Sequence, residues 1–474
     1  MPVLRRRALA AALVLAADLA LAGCGAGFPW LREKPAKPAA AAPAAPAATQ
    51  PAAAAPAQTA PVPVMTVNEI AVAYVRLVLA FDQLDPGYVD AYYGPPAWRD
   101  LARKAGLDAA QIQHQAQQLM AALSSAAPEP IAADPKLPEL RRRYLKNQLG
   151  SLSARAAMLR GQKFSFDDEA RALYDVAPPD YNAAENEAAL AQVRSLLPRG
   201  SGSLAQRYNR YVDGFAVPRA RLERVMQAAI ADARAGTRRH LSLPAGERFE
   251  LSLVAGKPWS AYNWYQGGFS SRIQVNTDLP VTIDRVIQLA SHEGYPGHHV
   301  YGGLLEQYLV RGRGWPEYQV YALYSPQSFV AEGSADFGVD LLYPWQQRRA
   351  LEKKLFRLAG LSTRNLTDYD RVTAAAKLLA PATVEAARHY LDGDWTAVQT
   401  SAWLQEHTLA SPERARQRIA FFDRYRSYIV NYAYGEQLVR QYVEAAGGTV
   451  PGSAEQWRAF GRLLTTPRVA SSLD

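Results

Sequence analysis

The stretch Thr282–His299, with the sequence TIDRVIQLASHEGYPGHH, joins a helical pattern to a dense group of nitrogen ligands. Its apolar residues recur at helical spacing, so we expect a helix over Thr282–Ser291 that carries His292 and Glu293 in its last turn. Three of the chain's seven histidines lie in the final eight residues of the stretch, beside one carboxylate. This composition is typical of a zinc hydrolase centre.

The spacing of these histidines requires a break in the helix. On a straight helix the second ligand would follow four residues after His292, where the chain has Pro296. His298 would then point away from His292, and His299 would face the same way but lie about 10 Å further along. Because proline disfavours the α conformation of the residue before it, we expect a kink at Pro296-Gly297 that brings one of the two histidines back. Without a metal, the same residues would form a buried polar network at the kink.

The rest of the folded chain is predicted to be mainly helical, as one large helical domain with a small β-sheet next to the metal-binding helix. Helical patterns cover Val67–Leu84, Ala109–Leu123, Leu140–Leu159 and Arg219–Ala235, and the pattern is helical again from Val281 to Leu464. Alternating apolar residues predict two strands, Arg248–Val254 and Ser271–Val275, with a tight turn at Gly267-Gly268 between them.

The first residues predict a lipoprotein. Three arginines in residues 1–7 precede an apolar run, Ala8–Ala22, which is too short to span a bilayer. The run ends in Leu21-Ala22-Gly23-Cys24, which resembles the lipobox of bacterial lipoproteins. The resemblance implies a signal peptide over residues 1–23 and a lipid anchor on Cys24, and Gly25 is similar to the residue of lipoproteins sorted to the outer membrane. The alternative is an ordinary small residue at a cleavage site.

Composition separates the tether from the folded domain. The remainder of residues 24–64 after the lipidated cysteine is rich in Ala and Pro, which predicts a semi-rigid disordered tether. The folded domain is predicted over 65–474. The net charge of +9 includes three leader arginines and no basic run, so we expect no nucleic-acid partner. Cys24 is the sole cysteine, which excludes an intrachain disulfide or thiolate ligand.

The pattern His292-Glu293-x-x-Pro296-Gly297-His298 resembles the signature of the DUF885 family of bacterial proteins. The resemblance implies a zincin-like fold of the glutamate-ligand (gluzincin) type with one Zn²⁺ ion. It favours His298 over His299 as the second ligand, with His299 kept as the alternative.

The resemblance also implies Glu332, in the segment Phe329–Asp336, as the third ligand. Glu332 and Asp336 share a helix face, so one carboxylate can bind zinc while the other accepts the spare ring N–H of a ligating histidine. Small residues between them favour close helix approach. The alternative is that both acids are solvated.

Glu293 is predicted to be the general base that activates a water for attack on a carbonyl. The segment Arg426–Gly435 resembles the C-terminal segment of the family and implies Tyr432 as an oxyanion partner, although Arg426-Ser427-Tyr428 replaces the family's Pro-Gly-Gln. Tyr425, Tyr428 and Tyr432 also form a helical stripe, which is typical of core packing.

An extended substrate would pair with an edge strand, for which Ser271–Asn276 is the candidate. Asn276 matches a family asparagine and is predicted either to bind substrate or to cap a turn.

Two functions remain open from the sequence. The first is a zinc-dependent peptidase or related amide hydrolase that is anchored through Cys24 and faces the periplasm. The second is a non-catalytic envelope lipoprotein that binds or scaffolds envelope components and keeps a vestigial metal site. An intact Glu293 favours the enzyme, because a structural metal site needs no base beside its ligand.

Overall fold

The computed structural model describes residues 65–127, 129, 134–257 and 259–473. The predicted signal peptide (1–23), the lipidated Cys24 and the tether up to residue 64 lie outside the described residues. Within the described part the chain is mainly helical with small sheets, which confirms the predicted fold class. No helix in this part is both long and apolar enough to cross a membrane.

The first helix, α1, is buried on most of its surface. A capping box between Thr66 and Glu69 satisfies its first backbone donors, and eleven of its fifteen residues are buried. Helix α4 packs against α1 and α3 and carries the fully buried Arg141, which forms an ion pair with Glu317 at 2.6 Å. The helices of the described residues are α1 (Val67–Phe81), α2 (Pro96–Ala105), α3 (Ala109–Ser125), α4 (Leu137–Leu159), α5 (Phe166–Tyr174), α6 (Ala183–Leu196), α7 (Leu204–Asp213), α8 (Arg219–Arg238), α9 (Ile283–Leu289), α10 (His298–Leu305), α11 (Pro326–Leu342), α12 (Trp345–Ala359), α13 (Leu366–Lys377), α14 (Pro381–Asp392), α15 (Ala397–His407), α16 (Pro412–Tyr425), α17 (Ala433–Ala445) and α18 (Ala454–Thr465).

Two small sheets interrupt the helices. Strands β1 (Val89–Tyr92) and β5 (Val320–Ala322) pair antiparallel, and neither strand was predicted. The second sheet has the order β2-β4-β3, with β2 (Arg248–Val254) parallel to β4 (Ser270–Asn276) and β3 (Ala261–Gly267) antiparallel to it.

This topology corrects the prediction that Ser271–Asn276 is an edge strand. The segment lies in β4, which has a neighbour on both sides, so its backbone groups are already paired. The unpredicted strand β3 is the edge strand of this sheet nearest the site. Gly267 and Gly268 make the turn between β3 and β4 with positive φ values of 76° and 62°.

The segment that carries the histidines changes its helical form twice. After α9 the chain continues as a π-helix, Ala290–Gly294, so His292 and Glu293 lie in a π turn and not in the last turn of an α-helix. The predicted break is present: the Tyr295–Pro296 peptide is cis, and α10 begins at His298. Only glycine fits at Gly297, because an added Cβ would lie 1.8 Å from the backbone oxygen of His292.

Helix α11 is held close to α17 by two glycines. A Cβ on Gly333 would lie 2.4 Å from the carbonyl carbon of Gly435, so neither helix could approach as closely with a larger residue. This agrees with the predicted role of the small residues after Glu332. Because the two helices are close, the carboxylates of α11 lie near the tyrosines that precede α17.

Candidate metal centre

Three side chains from separate elements converge on one point. His292 comes from the π-helix, His298 from the first turn of α10, and Glu332 from α11. The Nε2 of His292 lies 3.1 Å from the Nε2 of His298 and 3.1 Å from the Oε2 of Glu332. The Nε2 of His298 lies 3.5 Å from the same oxygen. The kink therefore brings together the predicted trio.

These spacings fit a tetrahedral metal ion. Ligands at zinc–nitrogen distances of 2.0–2.1 Å are about 3.3 Å apart on a tetrahedron, close to the three spacings observed. The Oε2 of Glu332 is buried and has no hydrogen bond from the described residues, although two ring nitrogens lie near it. A buried carboxylate oxygen without a donor is costly unless a cation binds it. The donor set of two imidazoles and one carboxylate suits Zn²⁺ and leaves a fourth position for substrate or water.

Asp336 holds the ring of His292 in position. Its Oδ1 lies 2.8 Å from the Nδ1 of His292 and also accepts a hydrogen bond from the Nε2 of Gln288 at 3.2 Å. A proton on Nδ1 leaves the lone pair of Nε2 free for a metal. The supporting role of Asp336 stays a prediction.

Tyr428 contacts Glu332 directly, a contact that the sequence did not predict. Its hydroxyl donates to the Oε1 of Glu332 at 2.8 Å, so only Oε2 is left to face the histidines. Arg426 and Ser427, which precede Tyr428, both bind the buried carboxylate of Glu169.

His299 lies outside the converging group. Its Nδ1 contacts the hydroxyl of Ser271 at 2.9 Å, and its Nε2 contacts the Oε2 of Glu247 at 3.1 Å. The hydroxyl of Tyr295 donates to the same oxygen of Glu247, and Arg234 lies 2.6 Å from the other oxygen. With both ring nitrogens occupied, His299 belongs to a closed polar network, which we call the Glu247 network.

The electrostatics of the trio favour a positive charge between the ligands. Burial alone would lower the pKa of His292, but Asp336 and Glu332 raise it well above its ordinary value. Burial alone would raise the pKa of Glu332, but His298 and His292 bring it well below its ordinary value. A metal ion would take the place of the shared proton in the same field.

Glu293 is buried and lines the same cavity as the trio. Burial raises the pKa of its carboxyl group, which is the direction that a general base requires. The side-chain amide of Asn263 on β3 donates to the backbone oxygen of Glu293 at 2.6 Å and fixes this turn of the π-helix.

Tyr432 also lies at the trio. Its ring stacks on His292, with centroids 6.4 Å apart and planes 26° apart, and it lines the cavity. Burial raises the pKa of its hydroxyl well above the ordinary value, so the group is a protonated donor. Its catalytic role stays a prediction.

Asn276 caps a turn. Its amide nitrogen donates to the backbone oxygens of Lys257 and Trp259, and its oxygen accepts from the backbone N–H of Asp278. Both N–H groups of its amide and one position of its oxygen are used by the backbone, and the residue is absent from the cavity wall. This arrangement is the turn-capping alternative and differs from the predicted substrate contact.

The trio opens into a cavity of about 950 Å³, including its mouth. Eleven of the 24 residues in its wall are aromatic. Asp90 on β1 also lies in this wall, which the sequence did not predict, because β1 reaches the site by pairing with β5 more than 200 residues later. Asp90 lies in a stretch rich in turn and aromatic residues, Asp85–Pro95, and this composition is as compatible with a packed loop as with a substrate cleft.

No protein-family model matches the chain, and no curated protein matches it significantly. Two solved structures resemble this chain at low sequence identity. One, from Colwellia psychrerythraea, is described as a candidate lipoprotein (14% identity, TM-score 0.46), with 86% of this chain and 75% of that chain covered. The other is an M32 carboxypeptidase from Deinococcus radiodurans R1 (13% identity, TM-score 0.40), with 85% and 91% covered. Both TM-scores are below 0.5, so neither likeness indicates a function.

Proposed function

We propose that this protein is a zinc-dependent hydrolase that cleaves peptide bonds. One observation carries the proposal: two ring nitrogens and an unbonded carboxylate oxygen converge at tetrahedral spacing on a cavity whose wall also holds the buried Glu293. A purely structural site would need a fourth protein ligand, and no other His, Cys, Asp or Glu of the described residues joins this group.

The residues divide the chemistry between them. When bound, Zn²⁺ would supply Lewis acidity at His292, His298 and Glu332, polarising the scissile carbonyl and lowering the pKa of a water. Glu293 takes a proton from that water and passes it to the leaving amine. Tyr432 donates a hydrogen bond to the oxyanion that develops on the former carbonyl.

We further propose that the lipid on Cys24 tethers the enzyme to the cell envelope, on the periplasmic face of the outer membrane. The leader and the residues Leu21-Ala22-Gly23-Cys24 support this location. The tether of residues 24–64 would then hold the catalytic domain away from the lipid surface.

The test uses the full-length protein with zinc, a mixed peptide library and the variant Glu293→Gln. We expect hydrolysis by the wild type and a loss of about 10²- to 10⁴-fold in kcat with Glu293→Gln, since a positioned base contributes that much. Zinc content should stay at one ion per chain in the variant.

The matched control is Glu250→Gln, which makes the same change at an exposed position on β2 and should retain wild-type hydrolysis. Zinc binding without hydrolysis of any library peptide by the wild type would overturn the peptidase and favour the non-catalytic envelope protein.

A further inference from the structure

The wall of the cavity is acidic and aromatic. Its charged residues are three carboxylates, Asp90, Glu293 and Glu332, and among the described residues no lysine or arginine lines it. Bound Zn²⁺ would offset the charges of Glu293 and Glu332. The negative charge of Asp90 would then have no positive partner in the wall, and a cationic group of the substrate would provide one.

Asp90 has the surroundings of a cation-binding group. The hydroxyl of Tyr262 donates to its Oδ1, and within the described chain no hydrogen bond reaches its Oδ2. Tyr321 and Tyr425 also lie close enough to interact with it electrostatically, and both line the cavity. A carboxylate beside aromatic rings is the usual environment for a bound ammonium group. Burial raises the pKa of Asp90 to about 7, although the hydrogen bond from Tyr262 and the charge of His298 act in the opposite direction.

Other polar atoms of the wall also lack partners. The Oδ1 of Asn263 is buried and accepts no hydrogen bond from the described residues. The side chain of Tyr318 is 3% exposed, and its hydroxyl oxygen is likewise without a partner there. Both residues line the cavity. Because buried polar atoms are normally satisfied, the Oδ1 of Asn263 indicates a ligand that brings an N–H donor, and the hydroxyl of Tyr318 can either donate to a ligand or accept from it.

Two arginines that interact electrostatically with residues of the site do not provide a binding group for a substrate carboxylate. Arg285 and Arg418 interact electrostatically with Glu293 and Tyr432, respectively, but neither lies in the cavity wall. A substrate carboxylate beside Asp90 would meet no lysine or arginine of the cavity wall.

We propose that Asp90 binds a primary ammonium group of the substrate, so that the cavity selects peptides with a free α-amino group or a lysine side chain. This inference rests on the proposed peptidase function and adds a substrate class to it.

The experiment compares three peptides on the full-length, zinc-loaded protein. They are Leu-Ala-Leu-Ala-Leu amide with a free amino terminus, its N-acetyl form, and an N-acetyl form with lysine in first place. Each is assayed with wild type, Asp90→Asn and the exposed control Glu250→Gln.

For the wild type we expect kcat/KM to be about 10- to 100-fold higher for a peptide with an ammonium group than for the N-acetyl leucine peptide, the value of one buried charge-assisted hydrogen bond. Comparing kcat/KM for the free-amino peptide and the lysine peptide shows whether an α-amino group or a lysine side chain is preferred. Asp90→Asn should reduce this ratio to about one, and Glu250→Gln should leave it unchanged. Equal cleavage of all three by the wild type, or a ratio that survives Asp90→Asn, would overturn the proposal.

Calorimetric binding of the same peptides separates this proposal from the peptidase itself. If the wild type hydrolyses no peptide, the peptidase fails, but tighter binding of the free-amino peptide than of the acetylated one still supports the ammonium site. Equal binding of the two peptides overturns it. The wild-type comparison decides the question even if Asp90→Asn does not fold.

Discussion

Two histidines that are neighbours in the chain lie in opposite kinds of polar cluster. His299 belongs to the Glu247 network. Its two ring nitrogens contact Ser271 and Glu247, and the carboxylate oxygens of Glu247 also contact Tyr295 and Arg234. His298 belongs to the trio, where an oxygen of Glu332 has no hydrogen bond from the described residues. The closed cluster stabilises the fold, and the open one is available to a ligand.

Helix geometry explains how adjacent residues reach different clusters. Successive residues of an α-helix point about 100° apart, so at the start of α10 one histidine faces the cavity and the next faces β4. Composition does not distinguish the two. The difference depends on which acids the neighbouring elements present to each ring.

The largest effect should separate these two histidines. His298→Ala removes a ligand and should weaken zinc affinity by more than about 100-fold, since loss of a supporting residue alone costs about 10- to 100-fold. His299→Ala should leave zinc affinity within about threefold but lower the free energy of unfolding by about 1–3 kcal/mol, because Glu247 and Ser271 lose partners. Chelator competition and urea unfolding measure the two quantities, and the reverse result would exchange the roles.

Asp336→Ala should have the next largest effect. Without the carboxylate at Nδ1 the ring of His292 loses its orientation and its preferred tautomer, so we expect zinc affinity to fall about 10- to 100-fold. The matched control is Asp340→Ala, one turn along the same helix, where the acid pairs with Lys377 and Arg440. Equal zinc affinity in the two variants would argue against a supporting role for Asp336.

Tyr428→Phe should have a smaller effect on the same site. It removes the donor to the Oε1 of Glu332 without changing the ring, and we expect zinc affinity to fall about 10-fold, at the low end for a supporting residue. Tyr425→Phe is the control, since this ring lines the same cavity and makes no hydrogen bond to Glu332 in the part of the chain that the structure describes. A fall of the same size in Tyr425→Phe would mean that general packing is responsible.

The closed cluster predicts a pH dependence of stability. Burial alone would raise the pKa of Glu247, but hydrogen bonds from His299, Tyr295 and Arg234 lower it below its ordinary value. A carboxyl group with a lowered folded-state pKa contributes stability above its unfolded pKa of about 4.5 and loses it as pH falls through the folded value. Urea unfolding from about pH 7 to pH 3 should therefore show a steeper loss for the wild type than for Glu247→Gln. Parallel curves would contradict this assignment.

Local pattern predicted much of the fold. The apolar spacing in Arg219–Ala235 and Leu140–Leu159 corresponds to α8 and α4, and the alternation in Arg248–Val254 corresponds to β2. The break at Pro296-Gly297 was also predictable, because proline and glycine act through their own backbones. The convergence of His292, His298 and Glu332 agrees with the pattern of the resemblance.

What depends on long-range pairing was not predictable. Asp90 reaches the cavity because β1 pairs with β5, and β4 is internal because β3 and β2 flank it. The π-helix that carries His292 has no composition that distinguishes it from α-helix. Tyr428 was assigned to a packing stripe, since sequence spacing cannot show that its hydroxyl meets Glu332.

The most direct test is a crystal structure of the zinc-loaded protein with anomalous data at the zinc edge. We expect one anomalous-difference peak per chain, about 2.0–2.1 Å from the Nε2 atoms of His292 and His298 and about 2.0–2.2 Å from the Oε2 of Glu332. His299 should remain bound to Ser271 and Glu247. A peak on His299, or no peak at the trio after zinc loading, would contradict the proposed zinc site.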